Sequence, residues 1–484
     1  MKSNQQNSSQ LGPSPIATAI LLAALAYCWL FVTGDTAYDI AHHAAIAVGL
    51  SIGLGFLYEL RAGGLRNLFR MDLVCLLGLY GLTLSEFLFP QPLLNEQLNQ
   101  EQVRVGLELI YLGIGSLVLG RHLIRSDIFS NQLSFSMPTI PPSLLTLAVA
   151  GAFGIGFLFM FLAVEFNLLL MIEYMLGPRF AVPWQRSRYG GLDDLLNELN
   201  LITYIIPPIV GYTMVRRKDF QFWQKSIIYS VFLFTMFAAF TAGTRNVLAV
   251  HMATFAIGFV FSLKRIKIFP LATLSFTILG TFIFLSYHML EFRNMGLKHY
   301  LESQHYDSSV TRNTLFIDFN LVPISQLAER FPGEYRYLGW EVPFWALVKP
   351  FPRAFWPGKP KGLSLGIEQA LGHEQMTVAV TFIGESYMAA GRFGVIIAGL
   401  LFGALFAWWN RVASGGGSLS IILYAVGFYG GIISMRSLFW LTTAMLPAIA
   451  LLVFAKVIIP TFFPSLDSHS GRKDSFNSFS KMHD

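Results

Sequence analysis

Apolar stretches long enough to cross a bilayer recur through nearly the whole of this chain, and short clusters of lysine and arginine punctuate them. A hydrocarbon layer offers no partners for backbone N–H and C=O groups, so such stretches must close their hydrogen bonds internally, as helices. Windows of about 18 to 22 apolar residues place twelve helices, at roughly 16–34, 40–60, 71–89, 103–120, 144–165, 198–215, 226–243, 246–263, 269–288, 388–409, 418–434 and 438–458. Composition agrees: 54% of the residues are hydrophobic and 13% charged, where a soluble domain carries about 25% charge. The expected fold class is all-α, a polytopic integral membrane protein.

A net charge of +6 would suit a nucleic-acid binder, but the basic residues follow apolar runs, as in cytoplasmic membrane loops. One side holds Arg61, Arg66 and Arg70, then Arg121 and Arg125, then Arg216, Arg217, Lys218 and Lys225, then Lys264, Arg265 and Lys267, then Arg411. Both termini fall on that cytoplasmic side. The first window follows a polar tail, 1–15, and lacks a small-residue cleavage site, so it reads as a retained helix. The segment 459–484 is expected to be a cytoplasmic tail, whose part after Ser465, rich in Ser, Lys and Asp, reads as disordered. Cys28 and Cys75 lie inside apolar windows, without the spacing of a metal knuckle or redox pair.

The opposite face receives two long segments, 166–197 and 289–387, the larger between the ninth and tenth helices. The expected organisation is therefore helices one to nine over 16–288, the large outer loop over 289–387, and helices ten to twelve over 388–458. Loops of that length are functional or disordered, and the aromatic content of this one argues against disorder. No repeat of fixed period appears, nor a pair of Gly/Pro-broken spans suggesting an inverted-repeat transporter.

The large loop carries the chemistry. Between Glu341 and Glu368 stand Lys349, Arg353, Lys359 and Lys361, framed by Pro350, Pro352, Pro357 and Pro360, with no acidic residue among them. Positive charge resists translocation, so its presence on the outer side asks for a reason. Charge-assisted hydrogen bonds to phosphate oxygens supply one, at about 1.5 to 3 kcal/mol each; contact with anionic headgroups is the simpler alternative. Arg245 sits midway between Lys225 and Lys264, so two minimal spans leave only Gly243, Thr244, Arg245 and Asn246 for the outer turn. Arg436 is placed similarly, in Ser434-Met435-Arg436-Ser437. Arginine at such depth either binds something or snorkels at a helix end.

Glu385 closes the loop and is the candidate general base, its alternative being an ion pair with Arg353, Arg392 or Arg245. His373, Glu374 and Glu165 rank below it. Gly391 and Gly394 follow, small residues suited to close helix packing. Trp340, Trp345, Phe351, Phe355 and Trp356 suit an interfacial belt, while Trp356, between Arg353 and Lys359, and Tyr387 are the candidate sugar contacts. No acidic pair of the type that holds a divalent ion on a diphosphate stands outside the windows; Asp35 with Asp39, and Asp193 with Asp194, come nearest. His42 and His43 lack a supporting carboxylate. Neither a metal nor a cofactor is expected, so cationic side chains would stabilise a departing diphosphate.

Pro352-Arg353-Ala354-Phe355-Trp356-Pro357-Gly358-Lys359-Pro360, followed by Gly384-Glu385-Ser386-Tyr387 and Gly391-Arg392-Phe393-Gly394, resembles the corresponding region of Wzy-type oligosaccharide repeat-unit polymerases. Gly243-Thr244-Arg245 is similar to their pattern as well. The motifs cover about a tenth of the chain. The resemblance implies a GT-C-like, inverting, metal-independent glycosyltransferase of the bacterial inner membrane, working on its periplasmic face. It would join undecaprenyl-diphosphate-linked repeat units into a surface polysaccharide such as O-antigen or exopolysaccharide. Arg245, Arg353, Lys359 and Arg436 would hold the diphosphate and Glu385 would activate the acceptor hydroxyl. Partners would be the lipid-linked donor and acceptor, membrane lipid, a chain-length regulator and a flippase, with no nucleic acid. Two rivals remain: a polysaccharide ligase of similar architecture, and a transporter or flippase of lipid-linked sugars. The latter predicts ionisable residues deep in several spans, whereas the charges here are expected at outer ends and in the large loop.

Overall fold

A computed structural model describes residues 12–124, 137, 139–185, 193–263, 266–303, 319–353, 355–372, 378–415 and 417–462. Of the expected tails at 1–15 and 459–484, residues 1–11 and 463–484 lie outside the described residues, as do His373 and Glu374. The principal helices are α1 (Pro15–Phe31), α2 (Ala37–Asn67), α3 (Met71–Thr83), α4 (Gln100–Gly120) and α5 (Pro142–Gly156). Next come α6 (Ile206–Val215), α7 (Phe222–Thr241), α8 (Arg245–Ser262) and α9 (Ile268–Met295). They continue with α10 (Leu321–Arg330), α11 (Glu341–Val348), α12 (Thr381–Trp409), α13 (Ser418–Arg436) and α14 (Leu446–Val453).

The described residues form an all-helical membrane protein in which eight helical segments are long and apolar enough to cross a bilayer. Pro15–Phe31, Met71–Thr83 and Pro142–Gly156 are apolar but shorter. The tenth expected helix begins at Thr381 rather than near 388, so Glu385 lies within α12 and not at the end of a loop. Where a continuous helix is expected over 438–458, the chain forms short turns over Leu438–Trp440 and Thr443–Met445 before α14.

The chain divides into two compact units. Unit one comprises Met1–Ser134, His305–Ser414 and Gly430–Thr443. Its spine is α4 against α12. A Cβ on Gly120 would strike the Leu400 carbonyl, one on Gly403 the Leu117 carbonyl, and one on Gly399 the Ser116 hydroxyl. Without side chains there, the two backbones touch, the small-residue device that drives helix association in lipid. Gly391 and Gly394 serve a different end. Ala390 (φ −153°) and Gly391 (φ 63°) break α12 into two helical halves, and Gly394 then abuts the Ser386 carbonyl of its own helix. The kink frees the Met388 and Ala389 carbonyls, which accept hydrogen bonds from Leu338 N and Gly339 N, each at 2.9 Å.

At the other end of unit one, Arg70 and Arg121 are buried with Glu59 and Asp72. Arg70 lies 2.8 Å from Glu59 and 2.5 Å from Asp72; Arg121 lies 3.3 Å from Glu59 and 3.5 Å from Asp72. Asn67 donates to Glu59 at 2.8 Å, Asn410 donates to Asp72 at 2.7 Å, and Ser14 N donates to Glu59 at 3.0 Å. This quartet ties together the ends of α1, α2, α3, α4 and α12. It corrects the expectation that charge gathers only at outer ends and in the large loop. Buried ions cost several kcal/mol each unless fully paired, and here two cations meet two carboxylates.

Unit two comprises Phe135–Gln304, Gly415–Tyr429 and Ala444–Asp484. Its tightest pair is α6 on α8, where Gly211 faces the Phe255 carbonyl and Gly258 faces the Pro208 carbonyl. Tyr204 stacks on Tyr429 at 3.9 Å between centroids, with the His251 ring 4.3 Å away. Residues 268–288 of α9 include no buried residue, leaving that apolar surface for lipid.

Candidate functional site

The cationic segment belongs to unit one and starts where α11 ends. Val342 and Ala346 of α11 pack on Phe439, with Trp345, Leu338, Ala389 and Leu438 around them. This apolar contact holds the start of the cationic segment beside the turn that follows Arg436. Beyond α11 the prolines prevent a helix from continuing, and the chain curls back on itself. Lys359 Nζ donates to the Lys349 carbonyl at 2.5 Å and to the Phe351 carbonyl at 2.7 Å. Arg353 Nη2 donates to the Pro360 carbonyl at 3.0 Å. Two of the expected phosphate ligands therefore also close their own loop. Trp356 sits in the same turn, its N–H on the Pro352 carbonyl and its carbonyl accepting from Lys359 N. Lys361 is exposed.

Two tryptophans lie beneath these cations. Lys349 Nζ stands 3.9 Å from the Trp440 ring centroid, and Lys359 Nζ stands 5.4 Å from that of Trp345. Such contacts attract a cation without neutralising it, so its field remains available to an anion.

Glu385 meets this group from α12. It is 2% exposed, and its carboxylate accepts from the Ser437 hydroxyl and from Leu438 N, each at 2.5 Å. A carboxylate at the start of a helical turn satisfies N–H groups that would otherwise lack partners. Glu385 thus anchors the turn that follows Arg436, and Lys349 stands over Trp440 of that same turn. Among the described residues, Glu385 makes no ion pair with Arg353 or Arg392. Arg392, just past the kink, turns instead to Glu108 of α4 in a two-pronged contact at 2.6 and 3.0 Å. Unit one therefore brings Glu385, Arg436, Lys349, Lys359, Arg353 and Trp356 into one connected region.

Tyr387 is committed elsewhere. Its hydroxyl donates to the Phe331 carbonyl at 3.1 Å, at the end of α10, and the side chain is only 8% exposed. Its ring meets Tyr337 edge-on at 5.9 Å, so it holds backbone in place and offers little face for stacking.

Arg245 lies in unit two. It opens α8 directly after the turn at 242–244, as tight as its spacing from the flanking lysines predicts, and is half-buried. Gly243 takes φ 64° there and packs against Arg293. Glu165 is exposed.

Sequence reasoning missed two things. The Glu59–Arg70–Asp72–Arg121 quartet was signalled by Glu59 and Asp72, carboxylates inside apolar windows. The approach of Arg179 to Arg293, both over Phe180, carried no local signal.

The described residues define a helical membrane protein in which a cationic segment lies beside a turn anchored by a buried carboxylate. Searches with the chain returned no matching family model, no matching curated protein and no matching solved structure.

Proposed function

We propose that this protein is a glycosyltransferase of the bacterial inner membrane that polymerises undecaprenyl-diphosphate-linked oligosaccharide repeat units on the periplasmic face. The reading takes the Wzy-type, GT-C-like architecture of about twelve spans, with both termini cytoplasmic. Its main support is that the segment of Lys349, Arg353 and Lys359 folds on itself beside the turn that follows Arg436, a turn anchored by Glu385.

In the proposed reaction an acceptor hydroxyl attacks the anomeric carbon of the donor glycan. A new C–O bond forms as the bond from that carbon to the diphosphate breaks, and the electron pair leaves with the diphosphate. Arg353, Lys359 and Arg436 offset the charge developing there, as preorganised donors do in acyl and phosphoryl transfer. Trp356 supports a sugar ring. The hydroxyl proton goes to a base, and Glu385 is the candidate, in contact with solvent only after the 437–440 turn shifts.

In vitro polymerisation with purified lipid-linked units tests the reading. Arg353→Ala and Lys359→Ala are each expected to slow chain growth roughly 10- to 100-fold, the worth of one charge-assisted contact. Full activity in both Arg353→Ala and Lys359→Ala would remove the proposed diphosphate contacts. Glu385→Gln separates the two roles of that residue, because the amide retains hydrogen bonding to Ser437 and Leu438. A base lost this way costs about 10²- to 10⁴-fold in rate, whereas an anchor survives within a few-fold. In a deletion strain, single repeat units on surface lipid fit a polymerase, and long chains left on the lipid carrier fit a ligase.

A second reading, a transporter or flippase, draws on the buried quartet, since ionisable residues within spans mark transport paths. Against it, the quartet is internally neutral and paired at every member. Movement of lipid-linked units across reconstituted vesicles without chain growth would favour it.

A further inference from the structure

Unit two holds a pair of arginines whose proximity the fold enforces. Arg179 Cζ lies 5.4 Å and Arg293 Cζ 6.0 Å from the centroid of the same Phe180 ring. Neither makes an ion pair or a side-chain hydrogen bond with any other described residue. Burial together with the neighbouring Arg293 charge pulls the Arg179 pKa below its ordinary value, the mark of two cations held closer than they would choose.

Backbone contacts create the approach. Gly296, at φ 89°, sits where a Cβ would lie 2.6 Å from Gly177 C and 2.8 Å from Pro178 N, pressing the Arg179 segment against the end of α9. Gly243, at φ 64°, has its would-be Cβ 3.2 Å from Arg293 Cγ, so the turn before Arg245 seats the stem of Arg293. The end of a helix accounts for one of these cations, because Arg293 in the last turn of α9 faces the negative end of the helix dipole. It does not account for a second guanidinium over the same ring, since Arg179 belongs to a three-residue turn and not to the end of a long helix. The helix has 28 residues, about 42 Å against a hydrocarbon core of roughly 30 Å, which lifts Arg293 to headgroup depth.

We propose that Arg179 and Arg293, with Phe180 as apolar edge, form an anion site that takes the phosphate or diphosphate headgroup of a membrane lipid. A polymerase of lipid-linked units binds two such headgroups, donor and acceptor; resting on that reading, the pair receives one of them independently of the cations of unit one. Two guanidinium forks match the oxygens of a diphosphate better than those of a single phosphate diester.

The test is binding of farnesyl diphosphate to the full chain in nanodiscs, with farnesol, inorganic pyrophosphate and added phosphatidylglycerol as comparisons. Arg179→Gln and Arg293→Gln are each expected to weaken farnesyl diphosphate binding about tenfold, while Arg293→Lys recovers part of the loss and reports that the fold is intact. Unchanged affinity and stoichiometry in the Arg179→Gln/Arg293→Gln double variant would overturn the site. Displacement by phosphatidylglycerol as effective as by farnesyl diphosphate would assign the pair to bulk lipid and overturn its role with substrate. Weakened binding in a protein that fails to polymerise would leave the site standing and remove the polymerase reading. Unchanged binding in a protein that does polymerise would do the reverse.

Discussion

At the scale of single residues, partners decide the worth of a charge. Glu59 and Asp72 are buried against Arg70 and Arg121, so removing one carboxylate strands a cation away from water. Asp72→Asn is expected to destabilise the protein by about 3–5 kcal/mol, measured as a loss of thermal stability in detergent. Arg392→Gln, by contrast, breaks a contact whose arginine side chain is 59% exposed, and is expected to cost no more than about 1 kcal/mol. Arg70, Arg121 and Arg392 read alike in the sequence, as basic residues near helix ends. Only the burial of their surroundings separates them.

At the scale of elements, the break in α12 sets the geometry around Glu385. It frees two carbonyls for Leu338 and Gly339, which fasten the approach to α11, and it sends Arg392 to Glu108. Gly391→Ala meets both a positive φ and the Tyr337 hydroxyl 2.7 Å from the new Cβ. A loss of about 1–3 kcal/mol is expected, again by thermal unfolding. Pairing it with Tyr337→Phe should recover part of that loss, since the hydroxyl contact goes while ring carbon Cζ, 2.9 Å from the new Cβ, and the backbone strain stay; full additivity of the two changes would contradict this account. Gly391 and Gly394 were visible in the sequence as small residues, but spacing alone assigned them to helix–helix packing. That work falls to Gly399 and Gly403, and nothing local tells a glycine under a kink from a glycine under a neighbouring helix.

At the scale of the whole molecule, the charge pattern makes a topological prediction. Reporter fusions or cysteine labelling are expected to find residues 66, 218 and 411 on the cytoplasmic side and residue 355 on the opposite side. A cytoplasmic 355 would detach the cationic segment from any periplasmic reaction. The sequence by itself determined that this is a helical membrane protein, that Arg245 stands in a tight turn, and that four basic residues share one proline-framed segment. Those are local matters: hydropathy over some twenty residues and the backbone's need for hydrogen bonds settle them wherever the chain goes. Tertiary structure alone decided that Glu385 anchors Ser437 and Leu438, that Asn410 reaches Asp72, and that Arg179 meets Arg293 over Phe180. The residues of those contacts lie from 52 to 338 positions apart in the first two cases, and which of them meet depends on how helices pack, a property that no local window carries.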